Sequence, residues 1–404
     1  MTGNAERGRS KIDWASVHMP LRKRLQETLK DERPFRDVRI AMSIHLEAKT
    51  ACLAMLLRDA GADVWATGCN PLSTQDDIAA ALAQEEGITV HARHGATEEE
   101  YVEDLRMTLS GKPDLVIDDG GDLMLLLLKD PQDQILGGSE ETTTGVNRLR
   151  ILAREGRLPF PMFAVNDAKM KSLFDNRYGT GQSVWDGIFR STNLLIAGKN
   201  VVVVGYGWTG RGIALRARGL GGRVTVCEVD PVSALEAWME GFDVATVHEA
   251  VGRADLVITA TGCADAVPES ALHNAKDGVV LANAGHFNVE VRPDDLARVS
   301  ESHRTVREGV EEYTYADGRR VYLLGEGRLV NLALGDGHPV EIMDLSFALQ
   351  TLTLQHILRN APLAVDVYPV PKEIDEAVAR LKLETLGVGI DNLSESQRAY
   401  LGLT

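Results

Sequence analysis

Short apolar runs alternate with helix-like segments along this chain, and that alternation constrains the fold more than any other feature of the sequence. Four runs in the first half are VRIAMSIH (38–45), ADVWATGCN (62–70), DLVIDDGGD (114–122) and PMFAVND (161–167). Strand–helix–strand order is typical of a parallel sheet, because parallel neighbours need a crossover connection. We therefore predict an α/β fold for this half.

Each of the four runs ends in polar residues. In open α/β sheets, ligands bind outside the carboxyl ends of the strands. We therefore expect a ligand site at one edge of the predicted sheet. The polar residues expected there are His45, Asn70, Asp118, Asp119, Asn166 and Asp167.

The second half opens with a dinucleotide-binding pattern. Gly205, Gly207 and Gly210 form GxGxxG between the apolar run VVVV (201–204) and a helix-like segment. The first glycine makes the turn, the second lets a pyrophosphate approach the backbone, and the third lets the helix pack on the strand. Glu228 ends the next strand, where a carboxylate accepts hydrogen bonds from the ribose of NAD and repels the 2′-phosphate of NADP. The alternative is a glycine-rich turn with an incidental acid.

The rest of the second half repeats the strand and helix alternation. Strands are predicted at 243–247, 254–262, 278–286 and 320–324, helices at 341–358 and 371–382, and a short helix within 391–404. Taken together, the chain is predicted to form two doubly wound parallel-sheet domains, one of them a Rossmann NAD-binding domain.

Charge and cysteine content exclude several classes of function. The formal net charge is −16, from 59 acidic and 43 basic residues, so we expect no nucleic-acid or anionic-membrane partner. No run of about 18 apolar residues and no secretory signal occur, which favours a cytoplasmic protein. Cys52, Cys69, Cys227 and Cys263 lack metal-ligand spacing, so we expect reduced packing cysteines and no metal site.

Several polar clusters are candidates for chemistry. Asp118, Asp119 and Asp122 lie in DDGGD, where carboxylates can act as a base, bind a metal or cap a helix, and the pattern leaves these open. Glu140 and Glu141 precede a run of threonines, which favours a helix start.

Two further candidates have structural interpretations of their own. Lys171 and Asp175 are four residues apart, the spacing of an exposed helical ion pair. His45, His286 and His338 each lie beside a glycine or a strand end, and each taken alone is more typical of a structural residue.

Seven segments together resemble the S-adenosylhomocysteine hydrolase family, and the resemblance runs from about residue 12 to the end. They are NPLSTQDD (70–77), IDDGGDL (117–123), GSEETTTGV (138–146), VNDAKMKSLFDNRYGTGQS (165–183), GYGWTGRG (205–212), NAGHF (283–287) and EGRLVNLALGDGHP (326–339). The resemblance implies NAD-dependent, reversible hydrolysis of S-adenosyl-L-homocysteine to adenosine and L-homocysteine. The 3′-hydroxyl is oxidised, the 4′-proton is removed, homocysteine leaves, water adds, and the ketone is reduced again.

The same resemblance implies roles for individual residues. It makes Asp119 the base at the 4′-carbon and His45 the residue at the leaving sulfur and attacking water. Glu141 and Lys171 would handle the 3′-hydroxyl proton, with the Lys171 pKa lowered by the nicotinamide cation, and Asp175 would hold the ribose. The other implied contacts are orienting residues Asn166 and Asn176, nicotinamide-side Thr142, Thr143 and Thr144, His286 and Asn331 closing the site from the cofactor domain, and His338 on a hinge-side loop near the substrate.

The sequence departs from the family pattern at two places. The chain stops shortly after AYLG, without the Lys/Tyr tail that many members extend to a neighbouring subunit's NAD, so tight cofactor closure is in doubt. The purine-side segment reads HLEAKT, with Glu47, Lys49 and Thr50, and Asp336 stands where many relatives have Met. The Lys49 ammonium only donates hydrogen bonds, which suits the 6-oxygen of hypoxanthine, and Glu47 would accept from the ring N–H that hypoxanthine has and adenine lacks. Together they favour S-inosyl-L-homocysteine as a substrate. A solvated Lys49 and a helix-capping Glu47 are the alternative.

These expectations define the domains and the competing functions. We expect a substrate-binding domain of residues 1–178 plus 341–385, an NAD-binding domain of 179–340, a C-terminal segment of 386–404, and a homotetramer. A catalytically silent NAD-binding paralogue and a net dehydrogenase are the alternatives. The DDGGD and EETTTG segments argue against the dehydrogenase.

Overall fold

The chain folds around two separate β-sheets. The structure, a computed structural model, describes residues 2–403. The first sheet has seven parallel strands in the order β15-β6-β5-β4-β1-β2-β3. Its strands are β1 (Arg39–Ser43), β2 (Asp63–Thr67), β3 (Ile88–Val90), β4 (Leu115–Asp118), β5 (Gly137–Glu140), β6 (Met162–Ala164) and β15 (Val367–Pro369).

The second sheet has eight strands in the order β12-β13-β14-β11-β10-β7-β8-β9. Six of its strands run parallel, but β13 pairs antiparallel with both β12 and β14. Its strands are β7 (Asn200–Val204), β8 (Arg223–Cys227), β9 (Asp243–Val244), β10 (Leu256–Thr259), β11 (Val279–Asn283), β12 (Ser302–Arg307), β13 (Val310–Thr314) and β14 (Arg320–Leu324).

Helices cover both faces of each sheet. The α-helices are α1 (Thr2–Val17), α2 (Pro20–Glu32), α3 (Ala48–Asp59), α4 (Asp76–Leu82), α5 (Glu98–Leu109), α6 (Asp122–Leu127), α7 (Thr143–Arg154), α8 (Lys169–Lys171), α9 (Thr180–Thr192), α10 (Trp208–Gly219), α11 (Pro231–Met239), α12 (Val247–Val251), α13 (Glu269–Leu272), α14 (Pro293–Val299), α15 (Val330–Ala333), α16 (Val340–Asn360), α17 (Lys372–Thr385) and α18 (Glu395–Tyr400). Two 3₁₀ turns (Val165–Asp167 and Gly325–Gly327) and a π-helical segment (Ser172–Gly179) complete the elements. The first sheet with its packed helices is called the first unit, and the second sheet with its own helices is called the second unit.

Alternation of side chains along the strands builds a core on each face of each sheet. In β7, Val201 and Val203 pack into one buried cluster, whereas Val202 and Val204 pack into another. Successive strand residues point to opposite faces, so an unbroken apolar run marks a strand that is covered on both sides. This is the physical basis of the doubly wound arrangement predicted from the apolar runs.

Helix α16 returns the chain to the first unit. Phe347, Leu349, Leu354 and Ile357 lie in the hydrophobic core of that unit. Asp344 of α16 also accepts hydrogen bonds from the first two N–H groups after Pro20, at the start of α2. These amides have no partner inside their own helix, so the carboxylate satisfies them and ties the two helices together.

The prediction of parallel sheets holds for the first sheet but is incomplete for the second. The β12–β13 hairpin was not predicted, because every residue of β12 is exposed and no apolar run marks it. Strands β3, β5 and β15 were also missed. They are short, and β5 carries Gly137 and Gly138, which give no strand signal.

Smaller predictions had mixed outcomes. Cys52, Cys69 and Cys227 are buried, but Cys263 is exposed, so the packing prediction is wrong for Cys263. The four thiols are free. The short C-terminal helix is confirmed as α18. Among the described residues, no helix has the length and apolar character needed to cross a membrane.

Candidate functional site

A cleft of about 1060 Å³ lies between the two units. The carboxyl ends of the first sheet's strands form one wall, and the glycine turn after β7 forms part of the other. Apart from Gly210, which packs beneath the turn, the cleft is lined by every residue that the resemblance implicated in catalysis, substrate binding or cofactor binding. Asn70 and Asp118, expected at the sheet edge from the strand pattern, are buried behind it.

Asp119 lies at the centre of this cleft, directly after β4. Cys69 Sγ donates a hydrogen bond to Asp119 Oδ2 at 3.3 Å, and His45 Nε2 lies 3.6 Å from the same oxygen. Oδ1 has no hydrogen-bond partner among the described residues, and His286 Nδ1 lies 4.0 Å from it. Burial raises the pKa of Asp119 above its usual range, which makes the carboxylate a stronger base.

The two histidines beside Asp119 are neutral. Burial, with smaller Coulombic contributions from His338 and Lys171, lowers the pKa of His45 to about 3. Burial likewise lowers the pKa of His286 to about 4, against the opposing charge of Asp119. His45 Nδ1 lies 2.6 Å from Ser73 Oγ, which fixes the ring. His45 therefore presents an uncharged imidazole nitrogen to the cleft.

Lys171 forms a second polar cluster with two carboxylates and an amide. Its Nζ lies 3.2 Å from Asp175 Oδ1 and 3.5 Å from Glu141 Oε1, and it donates to Asn176 Oδ1 at 2.8 Å. The ion pair predicted to be exposed is buried, with Lys171 5% and Asp175 1% exposed. The spacing was right, but the helix faces the cleft and not solvent.

The charges in this cluster set its protonation states. Burial acts to lower the pKa of Lys171, but the carboxylates of Asp175, Glu141 and Asp119 outweigh it and raise the pKa. The lowering expected from a bound nicotinamide cation concerns the cofactor complex and stays a prediction. Burial raises the pKa of Glu141 to about 7, with Lys171 opposing the shift. The Lys171 ammonium is thus held beside a carboxyl group that gains and loses a proton near neutral pH.

Local backbone geometry aims these side chains into the cleft. Asp175 and Asn176 lie on the π-helical segment Ser172–Gly179, a wider turn than an α-helix that is frequent at functional sites. At the next strand, Thr142 caps α7 by accepting a hydrogen bond from the Gly145 N–H at 2.8 Å. The helix start predicted at 140–144 is thus present, and Glu141 faces the cleft as well.

The glycine turn of the second unit has the geometry that a dinucleotide requires. Gly205 has φ +96°, and an added Cβ would lie 2.8 Å from the Ala260 carbonyl oxygen. A Cβ on Gly210 would lie 1.9 Å from the Gly205 oxygen, so the helix packs directly on the turn. A Cβ on Gly207 would meet nothing within 4 Å, which leaves its backbone open to a ligand.

Glu228 and Asn331 complete the cofactor side of the cleft. Glu228 follows β8 and accepts hydrogen bonds from the Tyr206 and Val229 N–H groups, so its carboxylate is fixed beside the turn. Asn331 donates to Ser183 Oγ at 3.1 Å, while its Oδ1 is buried without a partner among the described residues. An orphaned amide oxygen facing a cleft is an acceptor that a ligand can satisfy.

The far end of the cleft contains Glu47 and Lys49. Glu47 caps α3, because its carboxylate accepts hydrogen bonds from the Lys49 and Thr50 N–H groups. Lys49 is buried, and its Nζ lies 2.7 Å from both Glu47 Oε2 and the Asp336 carbonyl oxygen. The Asp336 carboxylate itself pairs with Arg190 at 2.5 Å. The alternative of a solvated Lys49 is therefore wrong, whereas the helix-capping interpretation of Glu47 is confirmed.

Comparison with known proteins identifies the family. A family model described as S-adenosyl-L-homocysteine hydrolase matches residues 2–135, and the model of its NAD-binding domain matches residues 176–337. The adenosylhomocysteinase of Thermotoga maritima is 56% identical over 398 residues, which cover 98% of this chain and 98% of that protein. The chain belongs to the S-adenosyl-L-homocysteine hydrolase family. It is accordingly an NAD-dependent hydrolase.

Members of the family with two different substrate names resemble the chain to a similar degree. The adenosylhomocysteinase of Thermococcus kodakarensis is 53% identical, over 98% of this chain and 95% of that protein. The S-inosyl-L-homocysteine hydrolase of Methanothermobacter thermautotrophicus is 52% identical, over 98% of this chain and 96% of that protein. Overall identity therefore does not separate the two purines.

Several residues that support the site were missed in the sequence. Cys69 contacts Asp119, and Ser73 contacts His45. From α16, Gln350 donates to Glu141 Oε2 and Ser346 donates to Asp175 Oδ2. Ser346 and Gln350 are four residues apart in α16 and both are buried, so they lie on one face of the helix. That spacing was a usable signal, because buried polar residues need partners.

Three side chains of the cleft are close enough together to hold a metal ion. His45, Asp119 and His286 have ligand atoms that all lie within 4.8 Å of one another. All three belong to the acid–base cluster around Asp119. The expectation that the protein has no metal site stays a prediction.

Proposed function

We propose that the protein catalyses the reversible hydrolysis of S-adenosyl-L-homocysteine to adenosine and L-homocysteine. The observation that carries this proposal is that Asp119, His45, Lys171 and Glu141 share one cleft with the glycine turn. NAD, when bound, accepts a hydride from the 3′-carbon and later returns it. Gly205, Gly207 and Gly210 would hold its pyrophosphate, Glu228 its ribose, and Thr142, Thr143, Thr144, Asn176 and Asn331 its nicotinamide side.

Lys171 and Glu141 would manage the proton of the 3′-hydroxyl. Lys171 Nζ and Glu141 Oε1 are 3.5 Å apart. A substrate oxygen beside both groups would therefore exchange its proton with the Glu141 carboxylate, next to the Lys171 ammonium. The Glu141 pKa of about 7 suits a group that takes and returns a proton at neutral pH. Asp175 and Asn166 would orient the ribose, since Asn166 Oδ1 accepts from Asn176 Nδ2 at 3.1 Å.

Asp119 would remove the 4′-proton once the neighbouring carbon is a ketone. Burial raises its pKa, which increases its basicity. His45 would serve the leaving sulfur and the attacking water, because a neutral imidazole has one donor nitrogen and one acceptor nitrogen. His286 and His338 would close the cleft from the side opposite Asp119 and Asp175. A catalytically silent NAD-binding paralogue is not favoured, because the four proposed acid–base residues all line the cleft.

The proposed substrate-binding and cofactor-binding roles of the two units also lead to proposed domain boundaries. We propose a substrate-binding domain of residues 1–178 plus 341–385 and an NAD-binding domain of 179–340, with 386–404 as a separate segment. The return of α16 to the core of the first unit supports the first assignment. Closure of the two domains would exclude water from the ketone.

S-inosyl-L-homocysteine is a second candidate substrate, which Lys49 favours. Of its three ammonium protons, Glu47 and the Asp336 carbonyl take two, so one N–H remains for a ligand. The 6-oxygen of hypoxanthine accepts such a bond, whereas the 6-amino group of adenine does not. Adenine offers only its ring nitrogens.

The experiment is a side-by-side measurement of thiol release from both substrates, with NAD present. Release from the adenosyl compound supports the proposal, and no release from either compound contradicts it. We predict that Lys49→Met lowers the inosyl-to-adenosyl ratio of kcat/KM by about tenfold, the effect of one lost charged hydrogen bond. Lys30→Met is the matched control, because it removes an exposed lysine of α2 that does not line the cleft, and it should leave the ratio unchanged.

We further propose that the protein is a cytoplasmic homotetramer. Val232, Trp238 and Met239 of α11 are 72%, 63% and 77% exposed, an apolar surface that subunit contact would bury. The net charge of −16 disfavours nucleic-acid and membrane partners. Light scattering of the purified protein distinguishes a tetramer from a monomer.

A further inference from the structure

Two loops, one from each unit, meet above Asp119. The loop after β4 contains Gly120, and the loop after β11 contains His286 and Phe287. A Cβ added to Gly120 would lie 2.7 Å from His286 Nε2, so the loops approach as closely as they do because Gly120 has no side chain. His286 reaches to 4.0 Å from the Asp119 carboxylate through this contact. Whatever holds these two loops together therefore also sets the surroundings of Asp119.

Arg148 on α7 bridges the two loops. Its Nη1 donates hydrogen bonds to the Gly120 carbonyl oxygen at 2.8 Å and to Asp122 Oδ1 at 3.1 Å, both in the first unit. The guanidinium carbon lies 4.5 Å from the ring centroid of Phe287 in the second unit. A planar guanidinium can use its edge for hydrogen bonds and its face for an aromatic ring at the same time, which a lysine cannot.

Both ends of this bridge are anchored. Asp122 Oδ2 accepts a hydrogen bond from the Tyr101 hydroxyl at 2.9 Å, so the carboxylate that holds Arg148 is itself fixed. On the other side, Asn283 Nδ2 donates to the Phe287 carbonyl oxygen at 2.9 Å. The Phe287 ring packs edge-on against His286, with centroids 4.6 Å apart. Movement of Arg148 would therefore shift the Phe287 ring and, through it, His286.

We propose that Arg148 is a positioning residue that keeps the cleft closed during turnover, by clamping the loop that carries Asp119 to the ring beside His286. This inference rests on the proposed function for the identity of the substrate. The clamp matters because the sugar is oxidised in the middle of the reaction. If the cleft opened before the ketone was reduced again, the oxidised sugar would leave and the two electrons taken from it would stay on the cofactor. The cofactor in that active site would then remain reduced.

The test compares Arg148→Ala with Arg154→Ala, a control on the same helix that removes an exposed arginine. We expect Arg148→Ala to lower kcat by at least about tenfold, because the variant loses a partly desolvated cation–π contact and both hydrogen bonds of the guanidinium. We also expect its activity to decay with turnover, while the absorbance of reduced nicotinamide rises and added NAD restores the rate. Arg148→Lys should be intermediate, and Arg154→Ala should match the wild type in both readouts.

A folded Arg148→Ala protein with wild-type kcat and no accumulation of reduced cofactor would overturn the proposal. If that variant fails to fold, Phe287→Leu removes the other half of the clamp and should give the same accumulation. Where both fold, the double variant should be no worse than the more affected single variant, since both changes break one contact. Additive losses would also overturn the proposal. Failure of the wild type to release thiol contradicts the proposed function instead, so the two outcomes are distinguishable.

Discussion

The two walls of the cleft differ in the residues that line them. On the first unit, the wall consists of buried ionisable side chains, including Asp119, Glu141, Lys171 and Asp175, and burial or neighbouring charge shifts the pKa of each one. On the second unit, the wall around the glycine turn is lined mainly by glycine, apolar and hydroxyl residues, with the Glu228 carboxylate fixed beside the turn. The difference supports the proposal that most acid–base groups belong to the first unit, whereas the pyrophosphate and ribose of the cofactor are held by the second.

This comparison predicts that mutations in the first wall lower kcat, whereas mutations in the second wall weaken NAD binding. The largest effect is expected from Asp119→Asn, which keeps the shape of the side chain but removes its basicity. We expect kcat for thiol release to fall by about a thousandfold, within the usual range for loss of a catalytic base. NAD affinity, measured by titration of the apoprotein, should be unchanged.

The control for that variant is its folding. Thermal unfolding of Asp119→Asn should resemble that of the wild type, because among the described residues the carboxylate accepts a hydrogen bond from Cys69 alone. Loss of NAD binding together with activity would contradict the separation of the two walls.

A smaller and opposite effect is expected from Glu228→Ala on the other wall. The loss of a charged hydrogen-bond acceptor for the ribose should raise the Kd for NAD by roughly ten- to a hundredfold. At saturating NAD, kcat should stay within about twofold of the wild type, a difference of well under 1 kcal/mol in the barrier. An unchanged Kd would remove Glu228 from the cofactor site.

The last prediction concerns the pH dependence of stability, and it tests the electrostatic side of the comparison by a measurement that is independent of activity. The Glu141 pKa is about 7 in the folded protein, against 4.5 as its usual value, so the folded state binds this proton more tightly than the unfolded chain. Its stabilising contribution is complete below the unfolded pKa and is lost as pH rises through about 7. The stability of the wild type relative to Glu141→Gln should therefore fall by roughly 3 kcal/mol between about pH 4 and about pH 8.

Denaturant titration of both proteins at the two pH values measures this difference. A constant gap between wild type and variant would mean that Glu141 titrates normally. The Asp118 pKa, also raised to about 7 by burial, contributes to both proteins and cancels in the comparison.

The same contrast explains how much the sequence could predict. Most of the second unit could be predicted, because Gly205, Gly207 and Gly210 form a local sequence pattern between an apolar strand and a helix. Gly210 packs on the Gly205 carbonyl oxygen five residues away, although the contact that requires Gly205 is with Ala260 after the neighbouring strand. The long apolar strands β7 and β11 were found for the same reason. The β12 strand was not, since it is exposed along its length.

The first wall could be only partly predicted from residues alone. Strand ends placed Asp119 and His45 at a common edge, but the spacing of Lys171 and Asp175 equally fitted an exposed helix. What distinguishes the two is α16, which is about 170 residues further on and covers the pair, with Ser346 donating to Asp175. Contacts of that sequence separation leave no local pattern. The family resemblance supplied these residues, and the fold explains why they are buried.

The most direct test of this account is the ratio of thiol released to NADH formed when the protein, loaded with NAD, turns over S-adenosyl-L-homocysteine or S-inosyl-L-homocysteine. If one wall carries the acid–base chemistry and the other only lends and recovers a hydride, many thiols should be released per bound NAD with no net NADH. Formation of one NADH per substrate consumed, without thiol, would mean a net dehydrogenase and would contradict the account.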